Sequence, residues 1–160
     1  MKEPSEDFTA EGEIVEEESS FEIVHSFLKE YLPEAEIVRL LSLGKEEKRK
    51  EGEVVIVEKT SSEKFGILLS GELAVEATIE GKSYLVGHLT SPSLFGEVGV
   101  LQNLPRTATI KTKTPAWLIF FPGEELKNLT RKYPKFKTFL ENLIHERLEK
   151  TLKAVRQPSP

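Results

Sequence analysis

The stretch Phe95-Gly96-Glu97-Val98-Gly99-Val100-Leu101-Gln102-Asn103-Leu104-Pro105-Arg106-Thr107-Ala108-Thr109-Ile110 reads as a place to hold a small anion that also carries hydroxyls. Gly96 and Gly99 lack side chains, so backbone N–H groups can approach a ligand closely. A short turn of helix starting near Glu97 would aim its free N–H groups at one point, which suits a phosphate. Arg106 is a permanent cation whose fork of donors fits phosphate oxygens, and Thr107 adds a hydroxyl beside it. Glu97, ionised at neutral pH, only accepts hydrogen bonds and so asks for a donor such as a sugar hydroxyl. Carboxylate, guanidinium and amide-rich loop together describe a sugar phosphate.

Phe95-Gly96-Glu97 and Pro105-Arg106-Thr107-Ala108-Thr109-Ile110, in one register without a gap, resemble the phosphate-binding cassette of the cyclic nucleotide-binding domain family. That family includes the catabolite activator protein type and the regulatory subunits of cAMP-dependent kinase. The resemblance covers about residues 34–155. It implies a mainly β fold, an antiparallel jelly-roll β-barrel flanked by N-terminal helices and a long C-terminal helix. Two positions depart from the family pattern. Glu58-Lys59-Thr60 stands where many relatives read Glu-Gly-Asp, and Ser93-Leu94 where they often read Gly-Asp. Both put turn geometry in question more than binding.

Outward from the cassette, the chain supports the same architecture on its own terms. A length of 160 residues gives one domain room for a proper core. With no cysteine there are no disulfides, thiolate metal sites or cysteine nucleophiles. No apolar run approaches the length needed to span a bilayer, and the first residues do not read as a signal peptide, so a cytoplasmic protein is expected. The net charge of −5 is uneven. Residues 1–20 carry eight acids and one base, leaving the remainder near +2. Such an acidic end argues against nucleic-acid binding there. Residues 1–19 lack apolar periodicity and read as a disordered, solvated leader.

Residues 20–160 read as a single domain: a helical lead-in over 20–50, a barrel over 51–121 with the cassette at 95–110, and helices over 122–156. Ser20 is placed to cap a helix running to about Leu32, and Pro33 to open a second one over Glu34 to Leu43, ending at Gly44. Lys45 to Lys50 reads as a charged connector. Strand-type runs follow at Val54–Val57, Phe65–Leu69, Leu73–Ile79, Tyr84–Leu89, Ala108–Thr112 and Ala116–Phe121, with tight turns at Ser70-Gly71 and Glu80-Gly81. Short strands with glycine turns at this spacing predict an antiparallel sandwich or barrel. A helix is expected from Pro122-Gly123-Glu124 to about Tyr133, then a long one from Pro134 to about Val155, with apolar residues at three- and four-residue steps. Gln157-Pro158-Ser159-Pro160 follows it.

The resemblance assigns roles. Glu97 accepts from the ribose 2′-hydroxyl, and Arg106 pairs with the cyclic phosphate. Gly96, Val98, Gly99, Thr107 and Ala108 complete the cradle. Thr151 aligns with the adenine-reading threonine of the catabolite activator protein type, while a threonine at the position of Thr107 assists guanine recognition in cGMP-dependent kinase. The base is therefore open between cAMP and cGMP. Val86, Leu89, Val98 and Val100 either line the ribose and base or are plain core. The resemblance implies no catalysis, no cofactor beyond the nucleotide ligand, and a homodimer or an effector protein contacted through the long helix. It implies no membrane and no direct nucleic-acid contact, since no reader helix follows. His25, His88 and His145 are scattered without metal-ligand spacing, which weighs against a metal-dependent barrel enzyme. A scaffold whose pocket is empty, or holds another anion, is the alternative.

Overall fold

The computed structural model describes residues 6–8, 14–16 and 18–156, with side chains from residue 18 onward. Within the acidic leader, β1 (Glu6–Phe8) pairs antiparallel with β2 (Ile14–Glu16), a pairing that its polar composition did not predict. Residues 1–5, 9–13, 17 and 157–160 lie outside the described residues.

Helix α1 (Ser20–Leu28) is capped by Ser19, one residue before the expected cap Ser20. Ser19 accepts from the Glu22 N–H, and the Glu22 carboxylate reaches back to the Ser19 N–H, a reciprocal capping box. The helix stops at Leu28 rather than Leu32. Helix α2 (Glu34–Ser42) follows, with Pro33 extended at the capping position rather than inside the first turn. Lys45–Arg49 is not a connector. It is strand β3, and its residues pair antiparallel with 116–120.

Strands β4 (Val54–Ile56), β5 (Lys64–Ser70), β6 (Glu72–Ile79) and β7 (Lys82–Thr90) come next, followed by β8 (Ser93–Phe95), a strand that sequence periodicity missed. The chain then makes α3 (Glu97–Gln102), β9 (Thr109–Thr112), β10 (Ala116–Pro122), α4 (Gly123–Lys132) and α5 (Pro134–Arg156). Two four-stranded antiparallel sheets result, in the orders β3-β10-β5-β8 and β4-β9-β6-β7. The β6–β7 hairpin closes on Glu80-Gly81, both with positive φ, and Ile79 faces Lys82 across the two-residue turn. Two successive positive φ angles are what the strand twist favours in so tight a turn.

The two sheets bury Ile56, Leu68, Leu73, Phe95, Ile110, Ala116 and Leu118 between them. A second core lies on the other face of the β3-β10-β5-β8 sheet. There Phe65, Ile67, Leu69, Ile119 and Phe121 meet Val24, Leu28, Ile37, Leu40, Leu126, Leu129, Phe136 and Leu140 from the helices. Alternation along β5 sends Leu68 inward and its neighbours outward to the helices, so Phe65 to Leu69 is buried without interruption. Eight antiparallel strands in two sheets, with helices ahead of them and a long helix behind, form the jelly-roll arrangement that the resemblance implied. Helix α5 is anchored at its start, where Phe136 and Leu140 are buried and Phe139 stacks on Tyr31 with ring centroids 4.4 Å apart. Beyond Leu140 it has no fully buried residue and runs along β7.

Candidate ligand-binding site

The site begins with a backbone corner. β8 ends at Phe95, whose ring is buried between the sheets, and Gly96 turns the chain with φ +79° into α3. A side chain at that φ would be strained, and an added Cβ would sit 2.8 Å from Arg106 Nη1. Glu97 is thereby the first residue of α3, only 2 % exposed. After α3 the chain turns through Asn103, in the left-handed region, and Arg106 comes back under the corner.

Arg106 is 9 % exposed and held by main chain alone. Its Nη1 donates to the Gly96 carbonyl at 3.0 Å and its Nη2 to the Lys64 carbonyl at 2.6 Å. Its own backbone is fixed as well, its N–H donating to Thr60 and its carbonyl accepting from Lys59. Burial pulls the guanidinium below its ordinary pKa, and the negative charge of Glu97 opposes that shift. The loop opposite, with Lys59 where the family pattern has glycine, keeps the turn by placing Lys59 itself at φ +68°.

Glu97 does not wait for a hydroxyl. Its Oε1 accepts from Arg147 Nη1 at 2.5 Å, and Arg147 Nη2 donates to the Leu94 carbonyl at 2.5 Å. Arg147 belongs to α5, so the long helix is pinned over the cassette by one side chain that neutralises a buried carboxylate. Sequence reasoning did not single it out. The signal was there: Arg147 follows Leu143 and precedes Thr151 by four residues each, a cation on the helix face that otherwise turns inward.

Around these groups lies a cavity of about 480 Å³. Gly96, Glu97, Val98, Gly99, Arg106, Thr107, Ala108 and Thr151 all line it. Val86 and Leu89 line it too, whereas Val100 turns away into the helical core. The open pair of readings for these apolar residues thus divides between them. Thr151 is half-buried on the cavity wall and its hydroxyl donates to the Arg147 carbonyl at 3.0 Å, which leaves its oxygen able to accept. The other α5 residues on the wall are Leu143, Ile144 and Leu148, which belong to the helix's apolar stripe, and Glu146, Arg147 and Lys150, which sequence analysis missed. The acids Glu124 and Glu125 do not line it, and among the described residues no cluster of His, Cys, Asp or Glu is arranged to hold a metal ion.

A family model described as the cyclic nucleotide-binding domain matches residues 46–133, more than half of the chain. The chain belongs to this family. The cyclic nucleotide-binding domain here is 41 % identical over 63 residues to a cAMP-dependent protein kinase regulatory subunit of Yarrowia lipolytica, covering 39 % of this chain and 16 % of the relative. The regulatory domain of Toxoplasma gondii PKA, solved with cAMP, is 25 % identical with a TM-score of 0.62, over 68 % of this chain and 42 % of that one. A cyclic nucleotide-binding domain from Methylobacillus flagellatus superposes at a TM-score of 0.70 with 16 % identity, over 88 % of this chain and 85 % of that one, which speaks to the fold alone. The domain thus spans less than a fifth of the curated relative it matches. Among the described residues no helix is long and apolar enough to cross a membrane.

Proposed function

We propose that the chain is a non-enzymatic sensor in which a cyclic nucleotide, cAMP or cGMP, fills the cavity beside Glu97 and Arg106 and its presence is transmitted through α5. One observation carries this reading. A buried carboxylate and a buried guanidinium meet at the wall of one cavity, and a side chain of the long helix closes on the carboxylate. The similarity to kinase regulatory subunits, one of them solved with cAMP, supports the choice of ligand.

In the proposed complex the cyclic phosphate, with one negative charge, lies against Arg106 and the amides about Gly96, Gly99 and Ala108. The ribose 2′-hydroxyl donates to Glu97. Arg147 engages Oε1 of that carboxylate, and the second oxygen can accept from a further donor. The base extends between β7 and α5, where Thr151 offers an acceptor and Thr107 a hydroxyl. No bond is made or broken, and the output is the balance of α5 positions. A ligand shifts that balance only through unequal affinity for the two states, with a full swing requiring about 5.5 kcal/mol. A homodimer seam or an effector protein would read the exposed outer face of α5, and the setting would be cytoplasmic.

Calorimetric titration of the chain with cAMP and with cGMP tests the reading. Binding in the micromolar range or tighter is expected, and Arg106→Ala should weaken it by about tenfold or more, since a charge-assisted bond contributes roughly 1.5–3 kcal/mol. A folded protein that gives no heat with either nucleotide would refute it, leaving the scaffold with an empty pocket or another anion.

A further inference from the structure

Three consecutive residues at the entry to β5, Ser62, Glu63 and Lys64, each hold a different part of the site. The Lys64 carbonyl accepts from Arg106 Nη2 at 2.6 Å. The Glu63 carbonyl accepts from the N–H of Gly123, the first residue of α4, at 2.8 Å. Ser62 packs against Gly99 of α3, so closely that a Cβ added to Gly99 would collide with Ser62 Oγ. The Ser62 hydroxyl oxygen is sealed from solvent and makes no hydrogen bond, the one such side-chain atom among the described residues.

A hydroxyl in that state is costly, and native folds seldom keep one without a reason. An acceptor stands close by. The same point beside Gly99 lies 2.9 Å from the Leu104 carbonyl oxygen, at the far end of the α3 turn. Ser62 Oγ and that carbonyl thus border the same side of Gly99 without being bonded. The segment has little slack to absorb a movement of α3. Gly123 is closed in, with an added Cβ 2.9 Å from the Glu63 carbonyl oxygen and 3.1 Å from Val100 Cγ1.

We propose that Ser62 is a positioning residue whose hydroxyl gains a cassette carbonyl as acceptor when the ligand seats α3, and that Ser62-Glu63-Lys64 passes this movement to the start of α4. The proposal rests on the reading of the cavity as a cyclic-nucleotide site and adds the route by which its occupancy reaches the helices. The phosphate acts on Arg106, which is tied to Lys64; the cassette helix acts on Ser62; the peptide between them seats α4. Because the hydroxyl is unpaired without ligand and paired with it, its removal acts oppositely on the two states.

The test is Ser62→Ala in the full chain, with Ser61→Ala as the exposed neighbour control. Thermal unfolding without ligand should show Ser62→Ala a few degrees more stable than the parent. Calorimetry with cAMP and cGMP should show its affinity reduced roughly tenfold, and Ser61→Ala unchanged. In hydrogen exchange, nucleotide should alter protection at Gly123 and the first turn of α4 in the parent and not in Ser62→Ala. Unchanged affinity in Ser62→Ala, or a loss of thermal stability, would overturn the proposal while leaving the ligand reading intact. Absence of heat in the parent itself would remove the ligand reading and this proposal with it.

Discussion

A buried carboxylate needs a counter-charge, and Arg147 supplies it to Glu97 from fifty positions away. Taking away one member of a buried pair leaves the other charged in a poor solvent, which costs about 3–5 kcal/mol when both are fully enclosed. Arg147 keeps about a quarter of its side chain exposed, so Arg147→Met should destabilise the ligand-free protein by about 2 kcal/mol, read by urea denaturation. No change would mean that Glu97 is comfortable without its partner. Lys59 presents the reverse case. A non-glycine residue at positive φ costs about 1–2 kcal/mol, and glycine's greater loss of freedom on folding returns about 0.5–1 kcal/mol. Lys59→Gly should therefore stabilise the fold by about 0.5–1 kcal/mol in the same measurement. Glu97 and Arg106 were legible because a contiguous motif fixes both. For Arg147 the spacing signals a cation on the inward face of α5, but not its partner, since that depends on how α5 is laid across the cassette, which no local pattern encodes.

Among the elements, α2 and α4 are joined by charge. Arg39 donates to Glu125 at 2.6 Å and to Glu36 at 3.2 Å, and Lys132 reaches Glu36 at 3.4 Å. Hydrogen bonds to Glu125 and then Glu36 push the Arg39 guanidinium up. Burial works to raise the pKa of Glu36, but Arg39 and Lys132 together hold it below its ordinary value of 4.5. The unfolded chain then binds that proton more readily than the folded one. Stability from this group is present above about pH 4.5 and is lost as pH falls through the lower folded value. Glu36→Gln should flatten the acid limb of a plot of Tm against pH; a limb as steep as the parent's would remove Glu36 as its source. Strand β3 shows where element reading failed. Lys45-Glu46-Glu47-Lys48-Arg49 has no apolar alternation to announce a strand, because it lies at a sheet edge and keeps its side chains largely in solvent. Its pairing comes from β10 rather than from its own composition, and charges suit an edge that must not recruit another chain. β8 escaped notice for a different reason, being only three residues long and continuous with the cassette.

At the scale of the molecule, the helix over the site is long and incompletely packed. Twenty-three residues at about 1.5 Å each make α5 roughly 35 Å long. Only Phe136 and Leu140 are buried in it, while Leu148 and Leu152 remain 56 % and 44 % exposed. If that far half forms the proposed seam, sedimentation should find a dimer, and Leu148→Glu with Leu152→Glu should return it to a monomer; a parent chain sedimenting as a monomer would reject the seam. The broad architecture was legible because short β-branched runs, glycine turns and a stripe of apolar residues in the last helix each have a period. Partnership between sheets was not, and one partnership has a consequence for how the chain is made. β10 lies between β3 and β5 in its sheet. About 70 residues separate β3 from β10, so at about 5–20 residues per second a ribosome needs roughly 4–14 s to supply the missing neighbour. Until then β3 has no strand to join, and its charges, which give it no reason to collapse, keep the nascent chain in water while it waits.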